Sequence, residues 1–325
     1  MRKLILSLSA LALLAILCVG LNRSPKAQAG ESAGMLTEAF DLAGGTVKLN
    51  NGVLMPLLGI GTFTLSNEQA VDSVCWALEA GYRLIDTASF YANLDGVAEG
   101  IRRSGVPRDE LFITGKLWPT EYTMDGIDEM LCRLGLETIN LLLLHQPMGD
   151  YIAGYRALEE AVRQGKVRAI GLSHCSAEQF DEIAAIATIP PAVLQNEAHP
   201  YFQQTAMAEH LLPYATVLEA WFPLGGRVAT PMLLADETIA AIARAHGKSP
   251  AQVILRWHLQ SGHVAIPGSS DPDHIRENIE IFDFALTDGE MAQIAALDRN
   301  ESYFTASDDN AQAEEILQGL GLSAD

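Results

Sequence analysis

Positive charge is scarce in this sequence. Lys and Arg together number 21 against 41 Asp and Glu, a formal net charge of −20. A field of that sign repels nucleic acid and anionic membrane surfaces, and no run of Lys and Arg reverses it locally. Nucleic acid is therefore excluded as a partner. Cysteine is sparse too, with four in 325 residues. Cys18 falls in an apolar N-terminal stretch. Cys75, Cys132 and Cys175 are an odd number at scattered positions, so neither a disulfide framework nor a metal site is expected. Linker-like sequence is absent between residues 47 and 298. A chain of 325 residues would otherwise suggest about two domains. Without a linker, one large domain of the size of a barrel is the expectation.

The first residues read separately. Arg2 and Lys3 precede an uncharged, largely apolar run over residues 4–19, and Ala27-Gln28-Ala29 offers a small-x-small exit. A charged start, apolar middle and small-residue exit make residues 1–29 a secretory signal peptide, cleaved before Gly30. The product would be periplasmic or extracellular. The alternative is a membrane anchor over residues 4–21, which just reaches the roughly 17 residues a span requires. Residues 30–45 read as a loose leader, residues 46–300 as the folded domain and residues 301–325 as an acidic tail.

The chemistry is concentrated where apolar runs stop at an ionisable residue. Leu84-Ile85 ends in Asp86, Leu111-Phe112-Ile113-Thr114-Gly115 ends in Lys116, and Leu141-Leu142-Leu143-Leu144 ends in His145. The steps between the three are 30 and 29 positions, about one strand–helix–strand unit each. Ionisable groups at the ends of successive buried strands are how a (β/α)8 barrel builds a site on its C-terminal rim. The remaining chain fits that alternation. Asn50-Asn51-Gly52 between short apolar runs predicts a hairpin. Leu58-Gly59-Ile60-Gly61 predicts the first strand, and Ser66 with Gln69 a capping box opening a helix. Further strands are expected at residues 168–172, 193–196, 216–221 and 264–266. Extra helices are expected after the seventh and eighth strands, near residues 237–245, 250–260, from 273, and 287–297. Alternation of this kind means parallel strands covered by helices.

The segments Ile85-Asp86-Thr87-Ala88-x-x-Tyr91, Ile113-Thr114-x-Lys116-Leu117-Trp118 and Leu142-x-x-His145-x-Pro147 resemble the aldo-keto reductase superfamily over residues 47–298. The nearest branch is similar to the prokaryotic 2,5-diketo-D-gluconate reductases. The resemblance implies a TIM barrel closed at its bottom by the N-terminal hairpin, and an NAD(P)H-dependent reduction of an aldehyde, ketone or diketo acid. It also implies a catalytic tetrad of Asp86, Tyr91, Lys116 and His145. The residue types suit that role. Tyr91 donates a proton, Lys116 makes its phenol more acidic, Asp86 balances the lysine, and His145 orients the carbonyl oxygen. Each residue alone has an ordinary structural reading; together, on three consecutive strands, they favour chemistry.

By the same resemblance Ser173, His174 and Gln195 would hold the nicotinamide carboxamide, and Trp221 would stack under its ring. Leu224 and Gly226 would lie along the pyrophosphate. Phe63 and Trp118 would shape the substrate mouth. Two departures stand out. His174 replaces an Asn of the family. After the eighth strand, Ile266-Pro267-Gly268-Ser269 and the following Asp271-Pro272-Asp273-His274-Ile275-Arg276-Glu277-Asn278 carry Gly268 and His274 where the family has Lys and Arg. Ser269, Glu277 and Asn278 keep the pattern. The two missing cations are those that grip the 2′-phosphate of NADPH, so the cofactor expectation is NAD(H) or NADP(H), leaning to NAD(H). Gln146, where this branch often has Trp, leaves sugar-acid specificity open. A monomer acting on a small carbonyl compound is expected, with a non-catalytic dinucleotide-binding sensor or partner subunit as the alternative. A third reading makes Lys116 a Schiff-base nucleophile.

Overall fold

The computed structural model of the protein describes residues 39–303. The signal or anchor over residues 1–29, most of the leader and nearly all of the acidic tail lie outside the described residues. Among the described residues, no helix is long and apolar enough to cross a membrane.

Eight parallel strands make the centre: β4 (Gly59–Gly61), β5 (Leu84–Asp86), β6 (Phe112–Leu117), β7 (Ile139–Leu144), β8 (Val167–Ser173), β9 (Val193–Glu197), β10 (Val217–Trp221) and β11 (His263–Ala265). They are hydrogen-bonded in chain order. The two ends of the sheet meet, since the Ala265 N–H donates to the Leu57 carbonyl at 3.0 Å and the Gly61 N–H to the Pro267 carbonyl at 3.2 Å. The fold is therefore a (β/α)8 TIM barrel. Every residue of β6 and β7 is buried. Strands covered on both faces read as continuous apolar runs, which is why Leu141 to Leu144 shows no alternation.

The outer layer is α1 (Asn67–Glu79), α2 (Leu94–Ser104), α3 (Met124–Leu134), α4 (Tyr151–Arg163), α5 (Ala177–Ile186) and α6 (Thr205–Leu211), then α7 (Gly226–Leu234), α8 (Glu237–His246) and α9 (Pro250–Gln260) between the seventh and eighth barrel strands, and α10 (Pro272–Ile279) and α11 (Asp288–Ala295) after the eighth. Ser66, Ser176, Ser249 and Thr287 each close a capping box with Gln or Glu three residues on. These reciprocal bonds satisfy helix N–H groups that would otherwise lack partners. Helix α7 was not expected. Gly225 and Gly226 open it and Pro231 sits inside it. Proline removes one i→i−4 bond and glycine favours other conformations, so local sequence argues against a helix that tertiary packing nevertheless supports.

The base of the barrel is covered by β1 (Phe40–Asp41), β2 (Thr46–Lys48) and β3 (Leu54–Pro56), an antiparallel sheet. The hairpin turn docks by side chains. Asn50 Nδ2 donates to the Pro191 carbonyl at 2.9 Å, and Asn51 Nδ2 to the Arg168 carbonyl at 3.0 Å. Strand β1 corrects the expected loose leader over residues 30–45 only at its end, residues 40–41, since residues 30–38 lie outside the described residues. Asp41 accepts from the N–H groups of Ala43 and Gly44, and this turn brings Phe40 and Asp41 onto β2.

Candidate active site

The tetrad residues arrive from adjacent strands and one loop. Asp86 is the last residue of β5, Lys116 lies one residue before the end of β6, and His145 follows β7. Tyr91 closes a single 3-10 turn, Ser89–Tyr91, beyond β5. That turn is tied down on both sides. Ser89 Oγ donates to the Lys116 carbonyl at 3.2 Å and accepts from the Trp118 N–H at 3.1 Å. Asn93, fully buried, donates from Nδ2 to the carbonyls of Thr62 at 2.8 Å and Leu65 at 2.9 Å. The loop carrying Tyr91 is thereby fastened to the strand ends on either side.

Lys116 Nζ lies 2.5 Å from Asp86 Oδ1 and 3.0 Å from Tyr91 Oη. The lysine has no exposed surface and Asp86 almost none. Burial works against the ammonium charge, but Asp86 and Tyr91 more than offset it and hold the Lys116 pKa above the usual lysine value. An amine that Asp86 holds protonated is a poor nucleophile, which counts against the Schiff-base reading. Burial likewise pushes Asp86 upward, while Lys116 and Gln195 pull it back.

The phenol corrects an expectation. Lys116 was expected to bring Tyr91 below its free value. Instead burial pushes Tyr91 up to about 12, with the pull of Lys116 only partly opposing it. The sequence showed the cation but not the depth of the hydroxyl. The Tyr91 hydroxyl is thus a protonated donor over the whole neutral range. Burial, with Lys116 and His174 nearby, drives His145 well below the usual histidine pKa. Its neutral imidazole offers one N–H and one acceptor nitrogen.

Aromatic rings surround these groups. Phe63 lies 4.9 Å from Tyr91 between centroids, Tyr91 5.6 Å from His145, and His145 5.8 Å from His174. His174 stacks on Trp221 at 4.8 Å, Trp221 meets Phe222 at 5.2 Å, and Phe222 returns to Phe63 at 6.0 Å. The result is a collar with the Tyr91 hydroxyl and the Lys116 ammonium at its base. Trp118 packs edge-on to His145 at 5.2 Å. Tyr122 fixes the strand end beside it, donating its hydroxyl to the Gln146 carbonyl and accepting from the Gln146 N–H.

The expected cofactor residues divide. Ser173 Oγ and the His145 carbonyl both lie within hydrogen-bond reach of His174 Nδ1, at 2.9 and 3.1 Å. His174 has φ of 55°, a left-handed conformation that Asn, Asp and His tolerate better than most residues. This explains how histidine stands where the family has asparagine. Gln195 is not free for a carboxamide through its nitrogen. Its Nε2 donates to Asp86 Oδ2 at 2.9 Å and to Glu219 Oε2 at 2.8 Å. Leu224 and Gly226 sit at the start of α7, whose first N–H groups have no side-chain cap. Gly226 is left-handed, φ 57°, and a Cβ there would come 2.7 Å from the Phe222 ring. That tight glycine turn beside Trp221 and an uncapped helix start suits a pyrophosphate.

At α10 the opposite holds. Asp271 Oδ1 accepts from the N–H groups of Asp273 at 2.8 Å and His274 at 3.4 Å, so a carboxylate already occupies the helix start. His274 is exposed, Ser269 and Glu277 are half-buried, and Asn278 is buried. Arg276 pairs with Asp273 at 3.0 Å. Sequence reasoning missed Ser89, Asn93, Tyr122 and Glu219. For Glu219 a signal existed: it stands two residues before Trp221, so both face the same way from one strand.

The aldo/keto reductase family matches residues 57–299. Morphine 6-dehydrogenase of Pseudomonas putida is 45% identical over 268 residues, spanning 78% of this chain and 90% of that protein. Glyoxal reductase of Bacillus subtilis (strain 168) is 44% identical over 262 residues, 79% of this chain and 94% of that protein. Among solved structures, an aldo-keto reductase from a Medee basin deep-sea metagenome library superposes with a TM-score of 0.78 at 37% identity, covering 80% of this chain and 97% of the other. A Bombyx mori aldo-keto reductase in complex with NADP gives a TM-score of 0.77 at 31% identity, over 82% of this chain and 96% of the other. The chain belongs to the aldo/keto reductase family, and it is an oxidoreductase. These relatives do not single out the 2,5-diketo-D-gluconate branch.

Proposed function

We propose that the protein reduces the carbonyl group of a small aldehyde, ketone or diketo acid to the alcohol, with a nicotinamide dinucleotide as reductant and Tyr91 as proton donor. The observation that carries this reading is the Tyr91 hydroxyl held 3.0 Å from a fully buried ammonium at the base of an aromatic collar. The bound dinucleotide supplies a hydride to the carbonyl carbon. The protein supplies the rest. The neutral His145 imidazole donates a hydrogen bond to the carbonyl oxygen and sets its direction. As negative charge develops there, Tyr91 passes its proton to that oxygen, and the charge left on the phenolate is met by Lys116. Solvent then restores the Tyr91 proton. Phe63, Trp118 and Trp221 exclude water and favour an apolar substituent on the substrate.

Ser173, His174, Trp221, Leu224 and Gly226 would hold the nicotinamide and pyrophosphate. NADH is the reductant used comparably or by preference. Gly268 and His274 replace the two cations, and Asp271 places a negative charge at the helix start where a 2′-phosphate would otherwise be welcome. Turnover of a simple aromatic aldehyde with NADH, beside Tyr91→Phe, tests the assignment. Loss of the phenol is expected to reduce kcat by about 10²–10⁴-fold. Undiminished turnover in that variant would remove Tyr91 from the mechanism. Export is proposed on the charged start, apolar run and small-residue exit of residues 1–29. The first residue of the mature protein, expected to be Gly30, tests it.

A further inference from the structure

The barrel interior holds an ionisable group, Glu219, that the reduction as described does not use. Glu219 lies in the middle of β10 with no exposed surface. Its strand neighbours are Gln195 on β9 and Val264 on β11. Gln195 gives both Nε2 hydrogens away, one to Glu219 Oε2 at 2.8 Å and one to Asp86 Oδ2 at 2.9 Å. Asp86 in turn holds Lys116 at 2.5 Å, and Lys116 holds Tyr91 at 3.0 Å. A continuous row of hydrogen bonds therefore crosses the barrel from β10 through β9, β5 and β6 to the Tyr91 hydroxyl. We propose that Glu219 is a positioning residue for the reduction, acting through Gln195 on the Asp86–Lys116 pair, and that it does so as a neutral acid whose ionisation slows the reaction. This rests on the assignment of Tyr91 as proton donor.

The charge balance of the row gives the physical reason. The groups that face Glu219 are Gln195 from β9, Asp86 and Lys116 from across the barrel, and the Tyr91 phenol beyond them. Val264 on the other side carries no charge. Lys116 is the single cation among them, and Asp86 already neutralises it at contact distance. A second carboxylate on Glu219 would be buried with nothing to balance it. It would have one donor only, since Glu219 Oε1 has no hydrogen-bond partner among the described residues. Unpaired buried charge costs far more than a buried neutral acid. Of the two carboxyls that Gln195 bridges, the proton belongs on the one farther from Lys116. Burial first, and the Asp86 charge second, push Glu219 up to about 8.

Ionisation of Glu219 has two effects on the row. It places a second negative charge on the far side of Gln195, which draws the shared amide away from Asp86. It also makes the Tyr91 proton harder to remove, because a negative charge nearby disfavours phenolate. Burial pushes Tyr91 up to about 12, with Lys116 pulling the other way. An alkaline limb in the reductive rate near pH 8 that disappears when Glu219 loses its carboxyl is therefore the mark of Glu219.

Two measurements on the full chain test this. In the first, kcat for aldehyde reduction at saturating NADH is followed from pH 6 to pH 10 in the wild type, Glu219→Gln and Glu219→Leu. The wild-type rate is expected to fall several-fold as pH passes about 8. Both variants are expected to stay flat there, whatever their absolute rates. An alkaline limb that persists in either folded variant, or a wild-type profile without one, overturns the proposal. In the second, the infrared C=O stretch of a protonated carboxyl is recorded below pH 7 without cofactor. It is expected in the wild type, lost on raising pH through about 8, and absent in Glu219→Gln. Identical carboxyl bands in wild type and variant overturn the neutral-acid assignment. Because the infrared readout needs no turnover, it separates failure of this proposal from failure of the reductase reading.

Discussion

Gly268 packs so closely on Gly61 that a Cβ added to Gly268 would come within 2.9 Å of the Gly61 carbonyl oxygen. The loop after the eighth strand thus lies close on the first strand, where the Gly61 N–H also donates to the Pro267 carbonyl at 3.2 Å. This constrains any attempt to restore grip on a 2′-phosphate. Gly268→Lys must displace backbone, and about 1–3 kcal/mol of stability is expected to be lost in doing so. His274→Arg meets no such obstacle, since residue 274 is exposed on α10. A guanidinium there adds a charge-assisted contact of about 1.5–3 kcal/mol with phosphate. The ratio of kcat/KM for NADPH over NADH is expected to rise about tenfold or more in His274→Arg, and less in Gly268→Lys. A wild-type preference for NADPH beyond about a hundredfold, roughly 3 kcal/mol, would contradict the cofactor assignment.

The buried pair Asp86–Lys116 touches the substrate only through Tyr91. Its loss should therefore appear in kcat more than in KM. Lys116→Met removes the charge that stabilises a developing phenolate and leaves Asp86 buried with only Gln195 as donor. Breaking a buried pair by removing one partner costs about 3–5 kcal/mol of stability. Asp86→Asn keeps the shape but strips the counter-charge from Lys116. Both variants are expected to lose kcat by about tenfold or more with smaller changes in KM. Steady-state kinetics alongside denaturant unfolding separates the two effects. A Lys116→Met enzyme with wild-type kcat would mean that the cation serves folding only.

Much of this architecture is legible from the amino acids because the barrel strands are buried on both faces. Apolar runs that end at Asp86, Lys116 and His145 announce strand ends at a catalytic rim. Other features are hidden for identifiable reasons. Glu219 sits in the run Leu218-Glu219-Ala220-Trp221, where one carboxylate reads as the outward face of a strand. Its spacing of two from Trp221 hints that it faces inward, and its register beside Gln195 establishes its partner there. Helix α7 is masked by Gly225, Gly226 and Pro231. The proton affinity of Tyr91 depends on the competition between Lys116 and burial, and only the first of these is visible in sequence. Asn93 looks like one more polar loop residue until its two carbonyl partners are seen.

That asparagine makes a prediction of its own. Asn93 Nδ2 spans the carbonyls of Thr62 and Leu65 inside the protein. These bonds hold the loop after β4 against the loop that carries Tyr91. Asn93→Ala leaves the buried Leu65 carbonyl without a donor, while the Thr62 carbonyl keeps the Leu65 N–H at 3.3 Å, so the loss is expected to be about 1–3 kcal/mol. A lower denaturant midpoint is expected, together with a fall in kcat as the Tyr91 hydroxyl loses its fixed position. Asn93→Asp retains the volume but replaces both donors with acceptors, so it is expected to be worse. Unchanged unfolding of Asn93→Ala would show that the loops are held by packing alone.

Acid should destabilise the fold through histidines buried neutral beneath the helices. His263 on β11 and His258 on α9 are both buried, with ring centroids 5.8 Å apart. Burial pushes His263 down to about 4 and, with His263 beside it, drives His258 well below the usual value. The unfolded chain binds protons on these rings as pH falls below about 6.5, while the folded protein resists doing so. Their contribution to stability is therefore fully present above pH 6.5 and is lost progressively as pH falls toward 4. For His263 alone the full effect is on the order of 3 kcal/mol. Thermal melts between pH 7 and pH 4 should show Tm falling in the wild type. His263→Leu should fall less over the same interval, because it has no ring to protonate on unfolding. Equal slopes in the two proteins would mean that carboxylate pairs, such as Glu159 with its arginines, dominate the acid response instead.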